Sequence, residues 1–492
     1  MFRQFAISSG IMLLWGVTLL APFPCGMVFA QAPDTSWTRT YGSGGTDYGS
    51  SVQQTFDGGY IIAGWTESLT GGNDVYLIKT DEDGDTVWTK AYGGTRDDEG
   101  FSVQQTSDSG YIVVGHTYSF GAAYEDDVWL IKTDASGDTL WTKRYGETNH
   151  CEAGYSVQQT NDSGYIITGY GEGGAALIKT DSSGNFLWGN AFGGADIPAY
   201  GRSVQQTNEG GYIITGWIDS YGTGDNDVWL IKTDSSGNIL WDKKFGRGYH
   251  DYGRSVRQAN DGGYIVTGET RPYGADNSDV WLIKTYANGD TLWTKTYGGS
   301  TDDRGWSVRQ TFGGGYIITG YTTSGAGSGD AWLIKTDSSG NKLWDKTFGG
   351  SSYDYGRSVR QTNDEGYIVT GMTSSYGAGG GDVWLIKVGA EIGIEEESNR
   401  DIFFLSQCEP NPFSQETVIS YKLLVISKVS LKVYDLTGRL VRTLLNEEIE
   451  AGSHTVIWDG RGGSGAKVSS GVYFIRFKSG KFYETRKVLF VR

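Results

Sequence analysis

One unit of roughly fifty residues recurs seven times along this 492-residue chain, and no other feature narrows its fold so far. In its cleanest form the unit reads Trp-x-Lys-x-Tyr-Gly-Gly, then Gly-x-Ser-Val-x-Gln-Thr, then Gly-Tyr-Ile-Ile-Thr-Gly, then Asp-Val-Trp-Leu-Ile-Lys-Thr-Asp. The Ser-Val-x-Gln valines fall at Val52, Val103, Val157, Val204, Val256, Val308 and Val359, spaced 51, 54, 47, 52, 52 and 51 apart. A unit this short cannot bury its apolar runs by itself, so adjacent copies must cover one another.

Each unit holds four short apolar runs, and the segments between them have hairpin chemistry. Gln54 to Tyr60 and Thr233 to Asn238 both place glycine and Asp or Asn where a tight turn needs them. Four hairpin-linked strands at a period near fifty predict the blade of a β-propeller. Ser-Val-x-Gln is then the innermost strand, Gly-Tyr-Ile-Ile-Thr-Gly the second, Val-Trp-Leu-Ile-Lys the third and Leu-Trp-x-Lys-x-Tyr the outer one. An outer-strand sequence, Trp37 to Tyr41, precedes the first inner strand, while none follows the last third strand at Val383 to Lys387. Residues 37–41 are therefore expected to pair with 383–387 and close the ring, which removes an exposed sheet edge.

Glycine is abundant at 76 and proline scarce at 7, but aromatic residues reach 14%, so the chain is packed and turn-rich rather than disordered. The net charge of −17 argues against nucleic acid as a partner, because phosphate binding needs a basic footprint. It also disfavours anionic membranes, and it suits a solubility role outside the cytoplasm. Of the three cysteines, Cys25 lies near the N-terminus while Cys151 and Cys408 fall in different domains, so no disulfide framework is expected. Residues 1–30 read as a signal peptide: Arg3, an apolar run from Ile11 to Leu20, and Val28-Phe29-Ala30 as the cleavage site. Pro22 and Pro24 cut that run too short for a transmembrane anchor, and no second apolar span follows.

The repeat resembles the bacterial β-propeller repeat whose units read Asp-x-x-x-x-Lys-x-Asp-x-x-Gly, an aromatic strand ending Gly-Gly, and Gly-x-x-Tyr-x-x-Gly. It shares Asp-x-x-Gly-x-x-x-Trp with the quinoprotein-type repeat. The resemblance covers about residues 35–388 and implies a fold, not an activity. Comparison of the copies separates scaffold from candidate site. Positions unchanged in all seven, such as the tyrosines at 60, 111, 165, 212, 264, 316 and 367 and the lysines at 79, 132, 179, 232, 284, 335 and 387, answer a demand common to every blade. Two positions vary. One precedes the serine: Ser50, Phe101, Tyr155, Arg202, Arg254, Trp306 and Arg357. The other follows the glycine that ends the second strand: Trp65, His116, Tyr170, Trp217, Glu269, Tyr321 and Met372. These side chains are expected to ring one mouth of the central channel, where aromatic and arginine groups suit sugars, peptides or carboxylates. Blade three is degenerate, since Gly174-Ala175-Ala176-Leu177 lacks the aspartate and tryptophan, which leaves open a notch in the ring.

Candidate chemistry is sparse. Thr80-Asp81-Glu82-Asp83-Gly84-Asp85 has the alternate oxygens of a calcium loop, but its counterparts lose the carboxylates and keep the turn, so it reads as a hairpin. The aspartates at 47, 98, 251, 303 and 354 repeat at what read as turn positions, and none stands apart as a catalytic acid. The histidines lack ligand spacing, and His150-Cys151-Glu152 is merely a local departure from the other blades. No catalytic residue, metal or cofactor is assigned, and a quinone-dependent dehydrogenase is disfavoured. A binding module is favoured over the alternative, an extracellular enzyme acting on polysaccharide.

After an acidic linker at 389–402 the repeat stops, and residues 403–492 alternate as a small β-sandwich. Pro410-Asn411-Pro412-Phe413, Val433-Tyr434-Asp435-Leu436-Thr437-Gly438, Ala451 to Gly460 and Ser470-Gly471-Val472-Tyr473-Phe474 follow in order. That series resembles the C-terminal sorting domain of type IX secretion substrates and the Ig-like domain of the flagellar hook-capping protein. The resemblance implies export after cleavage near Ala30, with 403–492 read by the secretion machinery, and a secreted or outer-membrane-surface protein. The expectation is thus an all-β chain: a seven-bladed β-propeller over 31–388 and an Ig-like β-sandwich over 403–492, meeting an extracellular carbohydrate or peptide ligand.

Overall fold

The computed structural model describes residues 32–391, apart from 68–70, 121–124, 147–149, 195–196, 220–224, 273–274 and 326, together with most of 403–492. The proposed signal segment and most of the linker lie outside the described residues. Every regular element among the described residues is a strand.

Residues 35–388 form seven four-stranded antiparallel sheets. Blade one is typical: inner strand Asp47–Gln54, second strand Tyr60–Glu67, third strand Asn73–Thr80 and outer strand Thr86–Tyr92, hydrogen-bonded in that order. The inner strands neighbour one another around the full circle, blade seven returning to blade one. The fold is a seven-bladed β-propeller. Its outermost strand in blade seven comes from the N-terminal side: Thr35–Tyr41 pairs with Asp382–Val388, Trp37 opposite Lys387 and Tyr41 opposite Val383. The register matches the expectation from the repeat. Blade three keeps all four strands, so no notch opens in the sheet; a two-residue turn at Glu172-Gly173 simply replaces a longer loop.

The unchanging residues account for the joints between blades. Each inner serine accepts a hydrogen bond from the valine N–H of the next inner strand, from Val103 to Ser51 through to Val52 to Ser358, at 3.3–3.4 Å. A second circle runs below it, where each terminal glutamine accepts from the turn of the preceding blade, as Gln105 does from Phe56 and Gln54 from Asn363. Each such bond contributes about 1 kcal/mol net, but the circle makes them mutually supporting. The lysines are buried and hold the inner hairpin turns: Lys79, Lys132, Lys179, Lys284 and Lys387 each bridge a backbone carbonyl and the turn aspartate. Apolar runs of facing blades fill the space between them, as Ile61, Leu77 and Val75 meet Val103, Val113 and Ile131.

One expectation needs correction. Asp47, Asp98, Asp251, Asp303 and Asp354 are not turn residues; each is fully buried at or beside the start of an inner strand. Their carboxylates accept from loop N–H groups four residues back, from Ser43, Gly94, Arg247, Gly299 and Gly350. Burial without such partners would be costly, so the loop and the aspartate specify each other. Glu152 holds the same place in blade three, which accounts for the odd His150-Cys151-Glu152. The Asp81 turn is a hairpin as read: its carboxylate accepts from the N–H groups of Asp83 and Asp85.

The C-terminal unit is a two-sheet Ig-like sandwich. Phe403–Leu405, Thr417–Leu423 and Gly452–Trp458 form one sheet; Leu440–Ile449, Ser427–Asp435, Gly471–Ser479 and Phe482–Phe490 form the other. Its sequence motifs converge on one corner of the core. Phe413, Tyr473 and Phe490 surround the fully buried Trp458 with ring centroids 5.2–6.5 Å away. Asn411 clamps the last strand, donating to the Lys487 carbonyl and accepting from the Leu489 N–H.

Candidate binding site at the channel mouth

Both variable positions lie where the inner strand begins and the second strand ends, and the backbone explains why they face the channel. In all seven blades the register slips by one residue between the inner glycine and serine, as between Gly49 and Ser51. The residue before the serine is therefore a β-bulge, left without a ladder partner and turned off the regular alternation. That re-aims Phe101, Tyr155, Arg202, Arg254, Trp306 and Arg357. The bulge also draws the strands together: a Cβ on the second-strand Gly64 would sit 1.7 Å from the Tyr48 carbonyl oxygen, and the other blades repeat this.

The two variable sets meet within a blade, and members of the first set touch across blade boundaries. Phe101 lies 5.4 Å from His116 and 5.2 Å from Tyr155. The Arg202 guanidinium stands 3.9 Å over the Tyr155 ring. Arg357 stands 3.8 Å over Trp306 and donates from Nε to the Tyr48 hydroxyl. Arg254 pairs with the buried Glu269 at 2.7 Å. Tyr170 and Trp217 stack on neighbours described below, and Trp306 lies 5.1 Å from Tyr321. Ser50 is too short to join the ring contacts, and no ring contact involves Met372 among the described residues.

A third set completes the ring and was not foreseen. Tyr48, Tyr200, Tyr252, Arg304 and Tyr355 lie directly opposite the second-strand positions, as Tyr48 does Trp65 and Tyr200 does Trp217. Tyr48 and Trp65 stack at 5.7 Å, and Tyr200 bridges Tyr170 at 4.8 Å and Trp217 at 4.4 Å. Trp217 meets Tyr252, and Tyr355 meets both Trp306 and Tyr321. Arg304 reaches Glu269 at 3.9 Å. Strict alternation gives no warning of these residues, because the bulge beside them breaks the period. The one available signal was the pairing itself, which places each opposite a residue already selected.

The electrostatics are those of a desolvated cationic surface. Burial lowers Arg202, and Arg254 repels it further, while Tyr155 offsets part of both. Burial raises Tyr48 and Tyr155, with the adjacent arginines pulling each back. Nε of Arg202, Arg254 and Arg304 are buried and have no acceptor among the described residues. The mouth thus presents aromatic faces and under-used cationic donors, a set that can stack on a planar or sugar face and bind an anionic group. Glu269 is held between two arginines, so it serves as their counter-charge.

Comparison with known proteins fits this picture at the level of fold. Residues 419–481 match the family model of the FlgD Ig-like domain, within the sandwich. No curated protein matches the chain. Among solved structures, a fungal alcohol oxidase of the AA5 family in complex with copper is 10% identical, with 93% of this chain and 100% of that one covered at a TM-score of 0.51. At that identity the likeness is one of fold, and the copper and the oxidation belong to that protein. PorZ, a surface component of the type-IX secretion system of Porphyromonas gingivalis, is 12% identical over 89% of this chain and 73% of that one, at a TM-score of 0.33. A likeness that low carries no argument here.

Proposed function

We propose that this chain is a secreted or cell-surface interaction module that takes an extracellular ligand, carbohydrate or peptide, at the arginine–aromatic mouth of its propeller. The observation that carries the reading is the run of contacts from blade two round to blade one: most of the places where the copies disagree in sequence touch one another, or the tyrosines and arginine beside them. A merely protective cover would need no cationic donors left without acceptors. The test is to replace Arg254, Trp306 and Arg357 together by alanine and screen parent and variant against glycan and peptide arrays. Loss of a parent signal supports the mouth; unchanged binding by the triple variant removes it.

For the C-terminal unit we propose an export role, with residues 403–492 as the address read by a type IX secretion machinery. The match to the FlgD Ig-like domain and the ordered motifs around Trp458 support an Ig-like module, and its pairing with a signal-like N-terminus favours export. Deletion of 403–492 should leave the propeller in the periplasm, whereas normal appearance of the truncated protein outside the cell refutes the address.

A further inference from the structure

Below the mouth, the third position of Ser-Val-x-Gln divides the ring in two. Blades one to four carry Gln53, Gln104, Gln158 and Gln205; blades five to seven carry Arg257, Arg309 and Arg360. The glutamines have a clear task. Each places its side-chain oxygen on the backbone N–H of the terminal glutamine in the next blade: Gln105 at 2.9 Å, Gln159 at 2.7 Å, Gln206 at 2.7 Å and Gln258 at 2.8 Å. Where arginine stands instead, that carbonyl is gone and a cation has replaced it. For the corresponding N–H groups of Gln310, Gln361 and Gln54 the preceding blade offers no glutamine carbonyl.

The three guanidiniums are on adjacent inner strands and have no carboxylate partner among the described residues. Arg257 donates to the Val256 carbonyl at 2.6 Å and to the Ser203 hydroxyl at 3.3 Å. Arg309 and Arg360 reach only the backbone oxygens of Val308 and Val52, at 3.5 and 3.4 Å. Nε of Arg309 is buried and unmatched. The side chains keep some accessible surface, yet protein surrounds them: burial pulls Arg257 down to about 9, with Arg360 repelling it further, and pulls Arg360 down to about 10. The buried blade lysines, by contrast, pair with carboxylates, as at Lys79 and Asp57 or Lys132 and Asp108. Three unpaired guanidiniums inside a protein of net charge −17 cost stability unless something supplies the opposite charge.

We infer that the channel, at the level of Arg257, Arg309 and Arg360, is a binding site for a multiply charged oxyanion such as sulfate or phosphate. Planar guanidinium forks suit such oxygens, and the backbone N–H groups left without a glutamine carbonyl add donors of the same sense. The anion is either a free ion or the charged group of a ligand that enters past the mouth. In the second case the site deepens the mouth reading by naming the charge of what binds, but it stands on different residues.

The test compares the parent with Arg257→Gln/Arg309→Gln/Arg360→Gln. Glutamine already fills this position in four blades, so the change has a precedent within the same ring. Titration calorimetry with inorganic sulfate and phosphate, and thermal unfolding in sulfate against chloride at matched ionic strength, read the site. The parent should bind sulfate and gain thermal midpoint beyond the chloride control. The triple variant should lose about a hundredfold or more in affinity, since each charge-assisted contact is worth roughly tenfold. It should also lose the sulfate-specific gain in midpoint. A sulfated oligosaccharide distinguishes the sources. Binding no tighter than sulfate indicates the free ion, and tighter binding that Arg254→Ala/Trp306→Ala/Arg357→Ala weakens indicates a ligand group. A parent that shows no sulfate response, or a triple variant that responds as the parent does, overturns the inference. Should the triple variant fold poorly, Arg309→Gln alone gives the same reading. Sulfate binding that survives loss of the mouth residues would sustain the channel site even where the mouth reading fails.

Discussion

The strand that closes the ring carries the most decisive stability prediction. Thr35–Tyr41 pairs with Asp382–Val388 at six registered positions, which amounts to about six backbone hydrogen bonds at roughly 0.5–1.5 kcal/mol each. Tyr41, 8% exposed, adds about 1.5–3 kcal/mol of buried surface and donates its hydroxyl to the Gly84 carbonyl of blade one at 2.6 Å. Deleting residues 32–41 should therefore remove about 5–12 kcal/mol, comparable with the whole stability of a typical domain. It also bares the edge at Asp382–Val388, so the protein should lose its cooperative unfolding transition and self-associate. Tyr41→Phe supplies the graded control. Blades three, four and six already carry phenylalanine at this position (Phe192, Phe245, Phe348), so losing the hydroxyl alone should cost only about 1 kcal/mol. Urea unfolding followed by circular dichroism, with light scattering for oligomeric state, measures both. A deletion variant that stays monomeric and loses less than about 2 kcal/mol would refute the closure argument.

Other outcomes follow from single sites. Burial raises the Asp108 carboxyl, but hydrogen bonds from Thr106 and Lys132 outweigh it and hold the group below the ordinary carboxylate range. The folded state then binds fewer protons than the unfolded one, so this stabilisation is present above about pH 4 and is lost as pH falls through the folded value. Burial raises Asp251 and Asp303 in the opposite sense, so the informative quantity is the difference between Asp108→Asn and the parent. That difference should shrink between about pH 6 and pH 3, and a constant difference would contradict the pairing. Gly268→Ala would set a Cβ 1.7 Å from the Tyr252 carbonyl oxygen, so it should destabilise by about 1–3 kcal/mol or more in a denaturant melt, and a neutral effect would discount the bulge geometry. In a chain without residues 1–30, a thiol reagent should label exposed Cys151 in the native state. It should reach Cys408, buried with its thiol raised to about 11 by desolvation, only after unfolding.

The repeat alone determined the strand order, the blade count and the register of closure. Those follow from hydrogen-bond geometry that seven near-copies must satisfy in the same way, and from the need to leave no open edge. It also separated joints from candidate surface, since Lys79 and its counterparts answer a common demand while Arg254 and Trp306 do not. Tertiary structure alone decided how the variable residues combine. The bulge after Gly49 and its counterparts breaks the two-residue period, so Tyr48, Tyr200 and Arg304 could not be placed at the mouth from alternation. The aspartates at 47 and 98 read as turn residues because their partners, backbone N–H groups of the preceding loop, leave no mark in side-chain pattern. The arginines at 257, 309 and 360 were visible as letters. That they stand together without counter-charge emerged only once the ring placed three strands distant in sequence side by side, because charge balance is a property of space and not of order along the chain.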